Sequence, residues 1–108
     1  YVQDHIEAIN LIFNNGERGH KYNIGGDNEI RNIDLVNKII RFCDNFLKRS
    51  KETSKSLVKF VEDRKGHDYR YSVDSSKLKS NLDWYPKTNF EKGLKKTIRY
   101  YLKKFGAI

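Results

Sequence analysis

The chain has 108 residues, 37% of them hydrophobic and 33% charged, enough for one small domain with a thin core. Its net charge is +8, and the whole excess lies in residues 51–108, which carry fifteen Lys/Arg against seven Asp/Glu. No apolar run reaches the roughly 18 residues of a membrane span and no signal-peptide pattern opens the chain, so membrane insertion is not expected.

The first helix is predicted to begin after Asp4, with Asp4 and Glu7 at capping spacing. Ile6, Ile9 and Phe13 then recur at helical spacing, with Ile12 beside them. "NNG", Asn14 to Gly16, ends it, since glycine readily takes the left-handed conformation. "HKYNIGG", His20 to Gly26, reads as a short strand entering a glycine turn, because Tyr22 and Ile24 alternate with Lys21 and Asn23.

Asn32 is the expected N-cap of a second helix, with Asp34 favourable in its first turn. Val36, Ile39, Ile40, Cys43, Phe46 and Leu47 form the apolar stripe. Cys43 lies on that stripe and reads as core rather than nucleophile. As the only cysteine it forms no intrachain disulfide, which is compatible with a cytoplasmic setting.

Lys48 to Ser56 is a polar loop, and Leu57 to Glu62 is β-rich. Tyr69 to Asp74 reads as extended, and a short helix from Ser75 to Leu82 follows, capped by Asp74. Pro86 forces Tyr85 out of helical geometry. The last helix is expected from Thr88, with Thr88 and Glu91 as a capping box. Phe90, Leu94, Ile98, Tyr101 and Phe105 mark one face, and Lys92, Lys96, Arg99 and Lys103 mark another. That split accounts for most of the C-terminal charge as a solvated helix face.

Two segments are candidates for chemistry. "GGDNEIRN", Gly25 to Asn32, places glycines before a helix, where backbone N–H groups can approach an anion, but it lacks dinucleotide-fingerprint and Walker spacing and on composition alone reads as a turn. "DRKGHDYRY", Asp63 to Tyr71, offers the planar fork of Arg64, the missing side chain of Gly66 and the ring of His67. Asp63 and Asp68 can instead neutralise those bases, and from the residues alone a surface ion-pair turn is the plainer reading. His5, His20 and His67 are scattered with no zinc spacing. No hydrolytic triad or marked carboxylate pair is present, and by itself the chain does not look like a complete enzyme.

Four stretches together resemble the C-terminal part of the dTDP-glucose 4,6-dehydratases, in the extended short-chain dehydrogenase/reductase family. "YVQDHIEAI" resembles the family's Tyr-Val-x-Asp-His helix start, and "YNIGGDNEIRNID" its Tyr-Asn-Ile-Gly-Gly-x-Asn-Glu turn. "VEDRKGHDYRYSVD" resembles its Asp-Arg-Pro-Gly-His-Asp-x-Arg-Tyr segment, and "LDWYPKTNFEKGLKKTIRYYL" its Leu-Gly-Trp-x-Pro ending. The second and third stretches favour the dehydratase branch over the UDP-sugar epimerases.

The resemblance implies an α/β fold, of which this chain is the C-terminal substrate-binding portion: mainly helices with short strands, without the Rossmann lobe. It implies a parent enzyme that uses bound NAD to oxidise a dTDP-sugar at C4, eliminate water across C5 and C6 and return hydride to C6. Asn32 matches the substrate-binding asparagine, Arg64 the arginine expected at the diphosphate and His67 the histidine expected near the nucleotide. Asp63 and Gly66 match the motif's frame. Lys65 replaces the motif's proline, which loosens the loop and offers a further phosphate contact.

The glycine-rich NAD loop and the acidic residues of the elimination belong upstream in that family. The chain has no methionine and starts close to a helix start, and reads as a piece of a longer protein. The 108 residues alone are expected to be inactive, and the parent is expected to be a cytoplasmic homodimer. Helix one and the Tyr22–Gly25 strand are expected to show apolar faces that pack on the other lobe. A small nucleic-acid-binding module is the rival from another class, and a ligand-free helical domain a third. Against the former, the basic residues follow a helix face without an aromatic platform, and no nucleic acid is expected as a partner.

Overall fold

The computed structural model describes all 108 residues. Four α-helices follow one another: α1 (Val2–Asn15), α2 (Asn32–Phe46), α3 (Ser76–Leu82) and α4 (Phe90–Lys104). A 3₁₀ turn, Thr53–Leu57, lies between α2 and α3. The chain forms two compact units, residues 1–29 with 71–93, and residues 30–70 with 94–108.

In the first unit, α1 packs against α3. Ala8, Leu78 and Trp84 are buried, with Leu11, Ile12, Tyr22, Ile24 and Leu82 packed around them. The face of α1 that enters this core is therefore Asp4, Ala8, Leu11 and Ile12, one side of a 3.6-residue period. The stripe expected to lead, Ile6, Ile9 and Phe13, points to solvent together with Val2, and Phe13 is 86% exposed. Tyr22 anchors the core's edge: its hydroxyl accepts the Glu17 N–H at 3.2 Å, and the Lys77 ammonium lies 4.9 Å from its ring centroid.

The helix starts differ from the sequence expectation. α1 begins at Val2, so Asp4 is inside the first turn and does not cap it. Its buried carboxylate instead accepts the Thr88 N–H at 2.9 Å and the Thr88 hydroxyl at 3.0 Å. Thr88 is thereby taken up, and Asn89 caps α4, its Oδ1 accepting the Glu91 N–H at 3.0 Å. Asn32 is the first residue of α2, with Arg31 in the cap position. α3 starts at Ser76 with Ser75 in the cap position, so Asp74 stands one residue before the cap; its carboxylate accepts the Ser76 N–H at 2.8 Å, and this bond holds its carboxyl below the ordinary range. Gly16 ends α1 in an extended conformation (φ −71°), not a left-handed one.

The second unit buries Ile40, Phe42 and Ile98. Phe42 is flanked by two cations, the Arg41 guanidinium at 5.1 Å and the Lys95 ammonium at 4.9 Å from its centroid. α2 packs against the 3₁₀ turn. Asp44 fastens that contact: it is 1% exposed and accepts the Ser54 hydroxyl at 2.6 Å and the Ser54 N–H at 3.3 Å. Cys43 is half-buried, and burial, then the neighbouring Asp44, pushes its thiol up, as suits a packed side chain rather than a nucleophile. Tyr101 and Phe105, expected on the apolar face of α4, are exposed and stack on each other with centroids 6.0 Å apart.

The expected short strands are absent: no residue of the chain forms a strand. His20–Gly26 forms neither helix nor strand. In the segment read as β-rich, Leu57 ends the 3₁₀ turn, and Phe60 and Val61 are 88% and 85% exposed. Alternation gives a segment the side chains of a strand, but the strand itself is made by hydrogen bonds to a neighbour.

Candidate nucleotide-sugar site

Asp63 to His67 fold into one tight turn in the second unit. The His67 N–H donates to the Arg64 carbonyl at 3.3 Å, closing a four-residue turn with Lys65 and Gly66 at its corners. Gly66 has φ +71°, whereas Lys65 is not among the positive-φ residues. That combination is the type II pattern, in which the second corner needs glycine and the first favours proline. A Cβ on Gly66 would meet no atom within 4 Å, so backbone angle rather than crowding selects the glycine.

Asp63 organises the turn from its first position. One carboxylate oxygen accepts the Arg64 N–H at 2.9 Å and the His67 Nδ1 at 2.6 Å. The bond from His67 is the main cause holding the Asp63 carboxyl below its ordinary value. Because an ionised carboxylate only accepts, Nδ1 carries the proton in this pair, which fixes the ring's orientation. Backbone and side chain thus place Arg64 and His67 at the two ends of one turn, each tied to Asp63.

Asn32 lies in the same unit, exposed in the first turn of α2. It makes no hydrogen bond to the Asp63–His67 turn. Beside it the Arg31 fork grips Asp34 through two bonds, at 2.7 and 3.1 Å, which lowers the Asp34 carboxyl and raises the guanidinium. Of the six residues singled out in the sequence, five therefore come together in one turn. Asn32 stands on a helix start, where backbone N–H groups remain available to an anion.

The glycine pair has a different role. A Cβ on Gly25 would approach the Val73 carbonyl oxygen to 3.1 Å and the Val73 Cβ to 3.3 Å, so Gly25 lets two extended segments meet. An open hollow of about 500 Å³ adjoins it, bounded by Gly25–Glu29 and Tyr71–Val73. Its carboxylates are engaged: Glu29 accepts the Ser72 hydroxyl at 2.7 Å, and Asp27 pairs with Lys79. Two acids in the lining make this a poor cradle for an anion. Sequence reasoning missed the Asp44–Ser54 bond, although a carboxylate four residues after Ile40 on an apolar stripe is the usual sign of a buried polar pair.

The sequence profile of the family described as GDP-mannose 4,6 dehydratase matches residues 1–97. The chain belongs to that family. A probable dTDP-glucose 4,6-dehydratase of Sinorhizobium fredii is 45% identical over 102 residues, covering 94% of this chain and 29% of the relative. A dTDP-glucose 4,6-dehydratase of Escherichia coli is 44% identical over 105 residues, again 94% of this chain and 29% of the relative. A solved dTDP-glucose 4,6-dehydratase from Bacillus anthracis, in complex with NAD, superposes with a TM-score of 0.79 at 37% identity. That match covers 98% of this chain and 31% of the Bacillus chain. The chain thus spans less than a third of the length of its dehydratase relatives and corresponds to their C-terminal part.

No helix is long and apolar enough to cross a membrane, and no three His, Cys, Asp or Glu side chains gather as a metal-binding group.

Proposed function

We propose that these 108 residues are the C-terminal, substrate-binding portion of a dTDP-glucose 4,6-dehydratase. The observation that carries this reading is the Asp63–His67 turn, in a chain whose relatives bear that name. One carboxylate sets the directions of a histidine ring and of the Arg64 backbone, an arrangement suited to a nucleoside diphosphate. In this reading Arg64 meets the diphosphate, His67 the nucleotide, and Asn32 the substrate from the start of α2. Lys65 adds a second cation at the turn's corner, and Asp63 and Gly66 hold the frame.

The reaction proposed for the whole protein is the dehydration of dTDP-glucose to dTDP-4-keto-6-deoxyglucose. NAD enters only with the remainder of such an enzyme. In this reading the dinucleotide cradle belongs to that remainder, and the lack of a G-x-G-x-x-G turn in these residues supports it. The exposed apolar face of α1 supports a packing role against that remainder. A cytoplasmic homodimer completes the proposal. The aromatic contacts of Lys95 and Lys104 with Phe42 and Tyr101 support leaving nucleic acid out of it, since those rings already face cations of this chain.

Calorimetry on the full-length protein tests the reading. dTDP is expected to bind more tightly than UDP, and Arg64→Ala to weaken dTDP by about tenfold or more, the usual effect of losing a charge-assisted hydrogen bond. Tighter UDP binding points to a UDP-sugar epimerase instead, and unchanged affinity in the variant points to a purely structural segment. The 108 residues alone are expected to turn over no dTDP-glucose. Clear turnover by that purified chain would overturn the assignment of catalysis to the remainder.

A further inference from the structure

Four consecutive residues of the second unit, Lys59, Phe60, Val61 and Glu62, make no backbone hydrogen bond to any part of the chain. The Val58 N–H closes the 3₁₀ turn on the Lys55 carbonyl, and the next bonded amide is that of Arg64, held by Asp63. All four residues between are exposed. A run of unpaired main-chain donors and acceptors is a template for a neighbouring strand.

The side chains say what that neighbour belongs to. Val58 is already extended, with φ −72° and ψ 121°. An extended run alternates its side chains, so Phe60 falls on one face and Val61 on the other. Both are exposed, as is Leu57 just before them. A strand at a sheet surface has one apolar face, whereas a strand apolar on both faces belongs inside a layered sheet. A single peptide or a second copy laid along the edge would pair the backbone and leave a face of Phe60 or Val61 in water.

The segment runs straight into the turn that carries the candidate site. Asp63, whose carboxylate accepts from the Arg64 N–H and from the His67 ring, is the residue after Glu62. In a paired strand the register sets the face that each side chain takes, and a slip of one residue reverses it. Whatever pairs with Lys59–Glu62 therefore aims Asp63 and, through it, the arginine and the histidine.

We propose, resting on the function proposed above, that an extended strand from the remainder of the enzyme pairs with Lys59–Glu62 and orients the Asp63–His67 turn. The nucleotide site is then finished only in the full-length protein. The matched region is 29% of each of two dehydratase relatives, so most of such a protein lies outside it. That is ample chain for a pairing strand and for the layers that cover both of its faces.

Amide hydrogen exchange on the full-length protein without nucleotide tests the pairing. Amides within residues 59–62 are expected to exchange about 100-fold more slowly there than in the purified 108-residue chain, or slower still. The α2 amides of the purified chain, protected in the same experiment, report that it is folded. Dilution should leave the protection unchanged. Phe60→Pro and Val61→Pro remove donors on opposite edges, and at least one of them should abolish the protection and weaken dTDP binding. Free exchange at residues 59–62 in a full-length protein whose dTDP affinity still depends on Arg64 would overturn the pairing and leave the proposed function standing. A dTDP affinity independent of Arg64 would overturn both. Protection that disappears on dilution, or that the purified chain shows equally, would assign the edge to a second copy and overturn the pairing as well.

Discussion

Asp4 and Thr88 are 84 positions apart, and two hydrogen bonds join them, from the Thr88 N–H at 2.9 Å and from its hydroxyl at 3.0 Å. The carboxylate is 4% exposed, so these bonds form away from water. They tie the first turn of α1 to the residue just before the Asn89 cap of α4. Asp4→Ala removes the acceptor and strands both donors. The expected loss of stability is about 2–3 kcal/mol, the range for a buried bond to a charged group left half-made. Urea denaturation of the purified chain measures it. Asp4→Asn, which retains one carbonyl acceptor, should lose less.

The turn at Lys65–Gly66 predicts opposite effects at its two corners. Lys65 occupies the first corner, its N–H makes no hydrogen bond, and proline favours that position. Lys65→Pro should therefore stabilise the chain by about 0.4–1 kcal/mol, chiefly by restricting the unfolded state. Gly66→Ala places a Cβ on a residue at φ +71° and should destabilise by about 1–2 kcal/mol. Paired denaturation midpoints read both. A destabilising Lys65→Pro would show that the proline-compatible geometry is wrong.

The Asp63–His67 pair predicts a pH response of definite sign. The Asp63 carboxyl is held below its ordinary value of 3.8, first by the bond from His67. A carboxyl whose folded value is depressed contributes stability above its unfolded value, and that contribution disappears as pH falls through the depressed value. The turn should thus keep its pairing at neutral pH and lose it only below the ordinary aspartate range. In a carbon-detected NMR titration, His67→Ala should move the Asp63 midpoint upward. An unmoved midpoint would mean that the ring does not hold the carboxylate in solution.

The outward stripe of α1 predicts a solubility effect without a stability effect. Val2, Ile6, Ile9 and Phe13 are all exposed, an apolar row on a short chain. Phe13→Glu should reduce self-association in light scattering at high concentration. Its folding free energy should change by less than about 0.5 kcal/mol, as for a surface substitution that breaks no contact.

Much of the helix content was legible because it rests on local pattern. The bond from the Ser76 N–H to Asp74 at the start of α3 and the amphipathic run of α4 need only spacing and side-chain type. The turn was legible for a related reason: Arg64, Gly66 and His67 lie within four residues, so their juxtaposition needs no long-range contact. The expected strands, by contrast, do not form. Tyr22 and Ile24 alternate correctly, yet alternation does not say which backbone will pair with them. α1 shows the same limit, since both its faces carry apolar residues and the periodicity alone did not choose between them.

By itself the sequence determined roughly where helices run, where a short segment carries arginine, glycine and histidine together, and where the positive charge accumulates. These depend on neighbours within about one or two helical turns. Only the tertiary structure decided which side of α1 is buried, that Asp4 serves Thr88 rather than its own helix, and that Asp44 closes on Ser54. Each is settled by competition among distant partners for a buried polar or apolar surface, and the winner is the arrangement that leaves the fewest donors and acceptors unpaired.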